Sequence, residues 1–516
     1  MSRKQVFILV TFLLGVFMGA IDAGIVSPAL TTLMSDFQID YKWSVWVVTV
    51  YTLVYAVSMP IVSKLADIYG RKKVFIISIA LFGLGSFMAG FSQNLTWLLF
   101  SRIIQAIGGG GIMPIANAVI SESFPKEKRG MALGLVGATF GVATIIAPNL
   151  GGFITDYLSW QWIFFVNVPI AVAVIIMALK IPNHVEVTKK PLDLFGSILL
   201  SGVIITLMYG LTNLETNNIL ESFLSLDVWP FLLASLILLI PFVKTENNAQ
   251  DPVIKIAYFK DRNIVIALFV SMITGIGMMS MIFIPAFSET LLNLSPGKGG
   301  YVTTILAVAS GISAAFGGLL LDRWGAKKVI ILGFVFCVIG SLALAFIAVG
   351  WVTLIIGLIL TGFGIGFTMG APLNYIILEL TDPAESSVAL SLVSLFRSIG
   401  ITIGPIILVG FVSGAATKIP ENIQTDLVKE FGDKMPAIDF SSQVSAGNGT
   451  SFSADRIVDM LPRDMPVNVV NKISEVIANT VQQTLLDGYT NLYISAAIIF
   501  FIGIVMAILL KLPERN

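Results

Sequence analysis

Fourteen apolar stretches of about bilayer-crossing length follow one another along this chain, and nothing else in the sequence restricts its fold as much. A spanning helix needs about 20 mostly apolar residues. Such stretches lie at roughly 6–30, 43–63, 74–92, 97–120, 130–154, 161–180, 192–213, 228–243, 264–288, 299–321, 328–349, 351–377, 387–413 and 489–510, the eighth being the shortest. In hydrocarbon each backbone N–H and C=O must be satisfied within its own segment, which at this length means helices. The composition agrees: 56% of the 516 residues are hydrophobic and 12% charged, where soluble domains carry about 25% charged residues. The expected fold class is an all-α polytopic membrane protein.

Lysine plus arginine and aspartate plus glutamate both number 31, so no overall basic surface points to nucleic acid as a partner. One cysteine, Cys337, excludes an intrachain disulfide, and the single histidine, His184, joins no metal-ligand cluster. No cofactor or metal is expected. Ser2-Arg3-Lys4 precedes an apolar run that continues past a signal-peptide core and is followed by further spans, so it reads as a retained first helix. Most lysine and arginine falls at 64–73, 126–129, 180–190, 244–262 and 323–328. The positive-inside rule then makes both termini cytoplasmic. The long loop 414–488 becomes extracellular; its six basic and ten acidic residues do not oppose this, because long translocated loops escape the charge rule. Two amphipathic stretches near 421–431 and 467–486, set among Pro420, Pro436, Pro462 and Pro466, suggest a small outer hairpin of helices. Asn448-Gly449-Thr450 fits a glycosylation acceptor, a tripeptide that also recurs by chance.

The chain repeats itself. Lys64-Leu65-Ala66-Asp67-Ile68-Tyr69-Gly70-Arg71-Lys72-Lys73-Val74 aligns with Leu319-Leu320-Leu321-Asp322-Arg323-Trp324-Gly325-Ala326-Lys327-Lys328-Val329 at an offset of 255. At 257, Asn117 meets Asn374, Glu122 meets Glu379, and Pro148 meets Pro405. Helices 1–6 therefore correspond to helices 9–14 in the same orientation, with helices 7 and 8 inserted. The expected organisation is a six-helix bundle over 1–190, an insert with linker over 191–257, and a second six-helix bundle over 258–516. Parallel repeats of this kind are a transporter arrangement.

These motifs resemble those of the major facilitator superfamily, specifically its fourteen-helix drug:proton antiporters. The first hinge is similar to the signature loop between helices 2 and 3, with Ser63 where glycine is usual and Ile68 where arginine is common. Arg102-Ile103-Ile104-Gln105-Ala106-Ile107-Gly108-Gly109-Gly110 resembles the helix-4 motif. Gly137-x-x-x-Gly141 with Ala147-Pro148-Asn149-Leu150-Gly151-Gly152 resembles the helix-5 antiporter motif, with Ala147 for glycine. Ile21-Asp22-Ala23-Gly24-Ile25-Val26-Ser27-Pro28-Ala29-Leu30 and Trp160-Gln161-Trp162-Ile163-Phe164-Phe165-Val166-Asn167-Val168-Pro169 are similar to the entries to helices 1 and 6 in that group. The resemblance implies two six-helix bundles plus two inserted helices. It also implies proton-coupled export of hydrophobic, cationic drugs or toxic compounds by a functional monomer, with antibiotic resistance as a consequence.

Asp22 is the acidic residue that falls well inside an apolar span. A mid-helix charge costs about 2.5–3.5 kcal/mol on insertion scales. A carboxyl group there can lose its charge by taking a proton, as coupling requires; the alternative is a carboxylate satisfied by neighbouring helices. The resemblance links the Asp22 position to coupling or cation recognition and that of Arg102 to proton transfer. Arg102 is equally open to a structural ion pair, and Arg397 in helix 13 reads as structural. Glu289, at the outer end of helix 9, is open to two readings: a second protonation site, or a hydrated residue at the mouth. Asp67, Gly70, Arg71 and Lys72, with Asp322 and Gly325, suggest a gating latch in which a carboxylate meets a helix N-terminus and glycine permits a tight turn. Glu122 and Glu379 are expected to hold contacts between helices at the inner gate. Gly137, Gly141, Gly151 and Gly152 would let another helix approach closely, and Pro148 would kink the helix. Gly108–Gly111 with Pro114 reads the same way. Tyr51, Tyr55, Met113, Asn117 and Asn374 are candidate pocket residues, although most such residues in membrane helices simply pack.

Three functions follow. The first is the proton-coupled exporter, moving a small-molecule substrate against protons across the bilayer. The second is a carrier, outward or inward, of an endogenous lipid or metabolite. The third, of another class, is a membrane sensor or scaffold on a transporter fold. An enzyme is not expected, because no nucleophile–base pair or metal constellation falls in the spans.

Overall fold

A computed structural model describes residues 2–182, 193–214, 219–294, 298–431 and 467–511. His184 and the Asn448 tripeptide lie outside the described residues. Fourteen helices are long and apolar enough to cross a membrane. Labelled α1 to α14, they begin with Arg3–Ala29, Trp43–Tyr69, Arg71–Gly90, Leu95–Ser123 and Glu127–Tyr157. Next come Trp162–Leu179, Leu194–Thr212, Trp229–Asn248, Arg262–Leu292 and Gly299–Trp324. The last four are Ala326–Phe346, Trp351–Leu380, Ser386–Ala416 and Val467–Ile508. The fold is an all-α polytopic membrane protein.

Most helices outrun their apolar cores by a turn or more, because the charged hinge residues stay helical and lift their heads out of the apolar layer. Starts are capped where the sequence supplies a short polar side chain. Asn94 accepts from Trp97 N at 2.9 Å, Asp193 from Gly196 N at 2.8 Å, and Asp261 from Asn263 N and Ile264 N at 2.8 and 3.0 Å. Large apolar side chains such as Phe100, Ile176, Ile240, Phe316, Val352 and Phe501 point outward, the surface a lipid solvent requires.

Two irregularities sit at membrane depth. The ninth span is a helix Arg262–Met278, a 3-10 segment Met279–Phe283 and a helix Ile284–Leu292. The twelfth breaks at Gly370, between Trp351–Met369 and Ala371–Leu380, just before Pro372. By contrast, α5 runs without interruption through Pro148.

The segment just after the end of α13 contributes an amphipathic helix, Ile419–Phe431. Its apolar side, Ile419, Ile423 and Leu427, packs on Ile473, Ile477 and Val481. The sequence suggested a separate second outer helix near 467–486. That stretch is instead continuous with the last span, giving one helix of 42 residues, Val467–Ile508. At 1.5 Å per residue it is about 60 Å long, roughly twice the hydrocarbon thickness.

The first and last six spans meet along α5–α10 and α2–α13. Glycine makes the first seam tight: a Cβ on Gly134 would lie 2.6 Å from Ala314 O, and one on Gly318 2.4 Å from Gly130 O; Gly137 meets α12 instead, at 2.5 Å from Gly370 Cα. The inserted pair leans on the second seam. Tyr209 of α7 packs against Trp46 of α2, and its neighbour Met208 reaches Thr402 of α13. The eighth span is mostly unburied.

Candidate functional site

Asp22 anchors a buried polar network within the first six spans. Arg102 Nη1 donates to Asp22 Oδ2 at 2.7 Å, and Gln105 Nε2 donates to Asp22 Oδ1 at 2.7 Å. Asn167 Nδ2 approaches the same Oδ1 at 3.4 Å. Ser86 Oγ accepts from Gln105 at 2.7 Å and from Asn167 at 3.4 Å. Arg102 also donates to Gln105 Oε1 and to the Val47 carbonyl, at 2.6 and 3.2 Å. Its guanidinium carbon stands 3.9 Å over the Tyr51 ring, a cation–π contact strengthened by the absence of water. Asp22 is 0% and Arg102 1% exposed. Each charge is thus desolvated and completed by the other, the condition under which a buried ion pair survives.

Gln105, Asn167 and Ser86 are members that charge-based reading of the sequence passed over. Their signal was available: each is a polar residue inside an apolar span.

Tyr51 and Tyr55 stack at 5.6 Å between ring centres. The Tyr51 hydroxyl faces Asp22 without closing a geometric hydrogen bond. Their seat is a glycine run on α4. A Cβ on Gly109 would lie 3.1 Å from both rings, and one on Gly110 2.7 Å from Tyr55 O. Gly108 likewise meets the α3 backbone at Ser78 O. Met113, Asn117 and Asn374 are buried, and Asn117 Oδ1 has no hydrogen-bond partner among the described residues.

The hinges form a second assembly. Asp67 Oδ2 accepts from Val388 N at 3.1 Å, at the start of α13. Arg71 donates to Asp67 Oδ1 at 3.0 Å, to Ser386 Oγ at 2.8 Å, to Ser387 Oγ at 2.9 Å and to Pro383 O at 3.0 Å, and it also reaches Glu122. Asp322 mirrors this on the other seam, accepting from Gly130 N at 3.1 Å and Met131 N at 3.3 Å in α5. A side chain on Gly130 would displace it, since a Cβ there would sit 2.5 Å from Asp322 Oδ1. Both turns need glycine for another reason: Gly70 has φ +97° and Gly325 φ +84°, with open space around each.

Lysines finish the pattern. Lys72 Nζ donates to Leu179 O at 3.0 Å and to Ile181 O, closing the end of α6. Lys327 Nζ donates to Ile508 O and Leu510 O, both at 2.7 Å, closing the end of α14. Lys64 forms a buried pair with Asp251 at 2.9 Å, tying the first hinge to the segment after α8. Nearby, the Tyr258 hydroxyl donates a hydrogen bond to Glu385; burial and that carboxylate push the phenol well above its usual range.

Other candidates lie elsewhere. Glu289 accepts from Gly299 N at 2.9 Å, so it caps α10 and stands apart from the Asp22 network. Glu379 is exposed and holds no contact among the described residues, unlike Glu122. Of the helix-5 glycines, Gly151 lies against Ile25 O and Gly141 makes ordinary contact with Ser310, while Gly152 meets nothing. The close-approach reading fails for Gly152, whose Cβ direction is open.

Fourteen spanning helices, a sealed ion pair and hinges that tie the first six spans to the last six describe a polytopic carrier, not an enzyme. Residues 12–405 match the family model described as Major Facilitator Superfamily, and the chain belongs to that superfamily. It is 36% identical over 505 residues to the uncharacterized MFS-type transporter YfiU of Bacillus subtilis, covering 96% of this chain and 95% of that one. It is 28% identical over 507 residues to multidrug resistance protein 3 of the same organism, at 96% and 95% coverage. Among solved structures it resembles the human organic anion transporter MFSD10, with a TM-score of 0.59 over 97% of this chain and 100% of that one. At 10% identity that likeness speaks for the fold alone.

Proposed function

We propose that this protein is a proton-coupled exporter of hydrophobic compounds, with both termini and both hinges on the cytoplasmic side. In this reading two six-helix bundles, 1–190 and 258–516, rock about a central site as a monomer, and 191–257 carries the inserted pair. The observation that carries it is the Asp22–Arg102 pair, a carboxylate and a guanidinium sealed together inside the membrane. A proton on Asp22 cancels the charge that holds Arg102. Arg102 grips α2 through Val47 O and Tyr51, and α2 ends at Asp67 in the latch. Twenty residues of continuous helix, about 30 Å, with Pro60 inside them, therefore join the proton site to the gate.

The cation-recognition role open to Asp22 in the sequence has less support. Both its oxygens are engaged by protein donors and the residue is fully buried, which closes it to a drug ammonium in this state. The multidrug relative supports export of varied apolar compounds. Proteoliposomes with an imposed pH gradient test the proposal. A fluorescent apolar dye should be moved against protons by the wild type, and dye flux indifferent to the gradient would refute coupling.

A further inference from the structure

Arg397 is a buried charge without an ion-pair partner among the described residues. It sits in α13, eleven residues past Ser386, at about mid-membrane depth by helical rise. Only 3% of it is exposed, and neither Nε nor Nη2 has an acceptor among the described residues. The other buried arginines differ: Arg102 has Asp22, and Arg71 has Asp67 with two serines and a carbonyl. Among the described residues no carboxylate acts on Arg397; the ionisable group within electrostatic reach is Tyr55, from the other seam-forming helix α2. The mid-span carboxylate, Asp22, is committed to Arg102.

Its position is enforced. A Cβ on Gly275 would lie 2.3 Å from Arg397 O, and one on Gly400 2.1 Å from Met272 O. The α9 and α13 backbones are thus in contact, and Ser271 Oγ donates to Val393 O at 2.7 Å. The helix cannot roll to take the guanidinium into water without losing that seam. A desolvated, unpaired ion is a standing cost in a fold. A planar fork of free N–H donors also matches a carboxylate or sulfonate, which it can hold by two parallel hydrogen bonds.

We propose that Arg397 binds the anionic group of the transported molecule, making the substrate class amphipathic aromatic monoanions or zwitterions rather than simple cations. The half-buried Tyr55 ring offers an apolar face for the remainder of such a molecule, since Tyr51 is covered by Arg102 on one side and Tyr55 on the other. Anion and proton sites then lie at opposite ends of one aromatic pair: Arg102 covers Tyr51, and Arg397 acts on Tyr55. The inference rests on the transporter reading of this centre, yet its test needs neither flux nor gradient.

The full chain in lipid nanodiscs is titrated with three probes on one ring system: 2-naphthalenesulfonate, 2-naphthol and 2-naphthyltrimethylammonium. The wild type should bind the sulfonate about tenfold or more tightly than the other two, as expected for charge-assisted hydrogen bonds. Arg397→Met should abolish that preference, and Arg397→Lys should keep part of it. Because the charge is unpaired, ligand-free Arg397→Met should melt at or above the wild-type temperature. The proposal is overturned if the wild type shows no sulfonate preference, or if Arg397→Met retains it. Should Arg397→Met fail to fold, undiminished sulfonate affinity in Arg397→Lys overturns it equally.

Discussion

The first hinge, 64–74, and the second, 319–329, share three devices and differ in two. Each has an aspartate that accepts backbone N–H groups from the opposite set of spans, a glycine at positive φ, and a lysine that closes a helix end. The first alone adds Arg71, where the second has Ala326, and Lys64, where the second has Leu319. The shared parts join helix ends through neutral backbone donors, which are cheap to release. Of the added parts, Arg71 crosses to the start of α13 by charge-assisted hydrogen bonds to Ser386, Ser387 and Pro383 O, while its ion pair with Asp67 and that of Lys64 with Asp251 hold the first hinge itself in place. Closure on this side is therefore built differently at the two seams: Arg71 bolts α2 to the start of α13, and the α5–α10 seam joins close glycine packing to the Asp322 catch.

Arg71→Ala removes the bolt and should have the largest effect, weakening closure by about 3–5 kcal/mol because Asp67 is left buried and uncompensated. Spin labels on the hinge-side ends of α2 and α13, with the buried Cys337 replaced, would report the wider distance. A distance distribution unchanged from wild type removes Arg71 from the latch. Gly70→Ala and Gly325→Ala should each cost about 1–3 kcal/mol through backbone strain alone, since neither meets a steric neighbour. Similar melting temperatures for the two are expected, and harm from Gly70→Ala only would mean that the turns differ in more than conformation. Asp322→Asn should be mildest, at about 1 kcal/mol, because it trades a charged acceptor for a neutral one at a helix start. Labels across α5 and α10 would then move little; opening as wide as in Arg71→Ala would end the distinction between bolt and catch.

The spans were legible because a bilayer dictates their length, and the duplication was legible because both hinges kept their aspartate, glycine and lysines. The partners were not. Asp67 meets Val388 at a separation of 321 residues, and no local pattern encodes which backbone N–H will face a carboxylate. Asp22 and Arg102 stood out singly by the cost of charge in hydrocarbon, whereas Gln105, Asn167 and Ser86 are neutral and cost too little to attract notice. Glu289 stayed open between a protonation site and a mouth residue because a carboxylate at a helix end serves as a cap or as an exposed charge with equal ease, and its partner Gly299 N is set by the fold. Arg397 was visible as a charge in a span, but the absence of a partner is a property of three dimensions. The same holds for the last helix, whose outer half is polar enough to read as a loop element yet continues the α14 axis.

The central claim is that Asp22 carries the coupled proton while the rest of the site holds the substrate. Asp22→Asn keeps the shape and a hydrogen-bonding oxygen for Arg102 but cannot change charge. In proteoliposomes it should still exchange labelled for unlabelled dye across the membrane without a gradient, and it should lose all dye accumulation driven by an imposed pH difference. Gradient-driven accumulation at the wild-type level in Asp22→Asn would contradict the account.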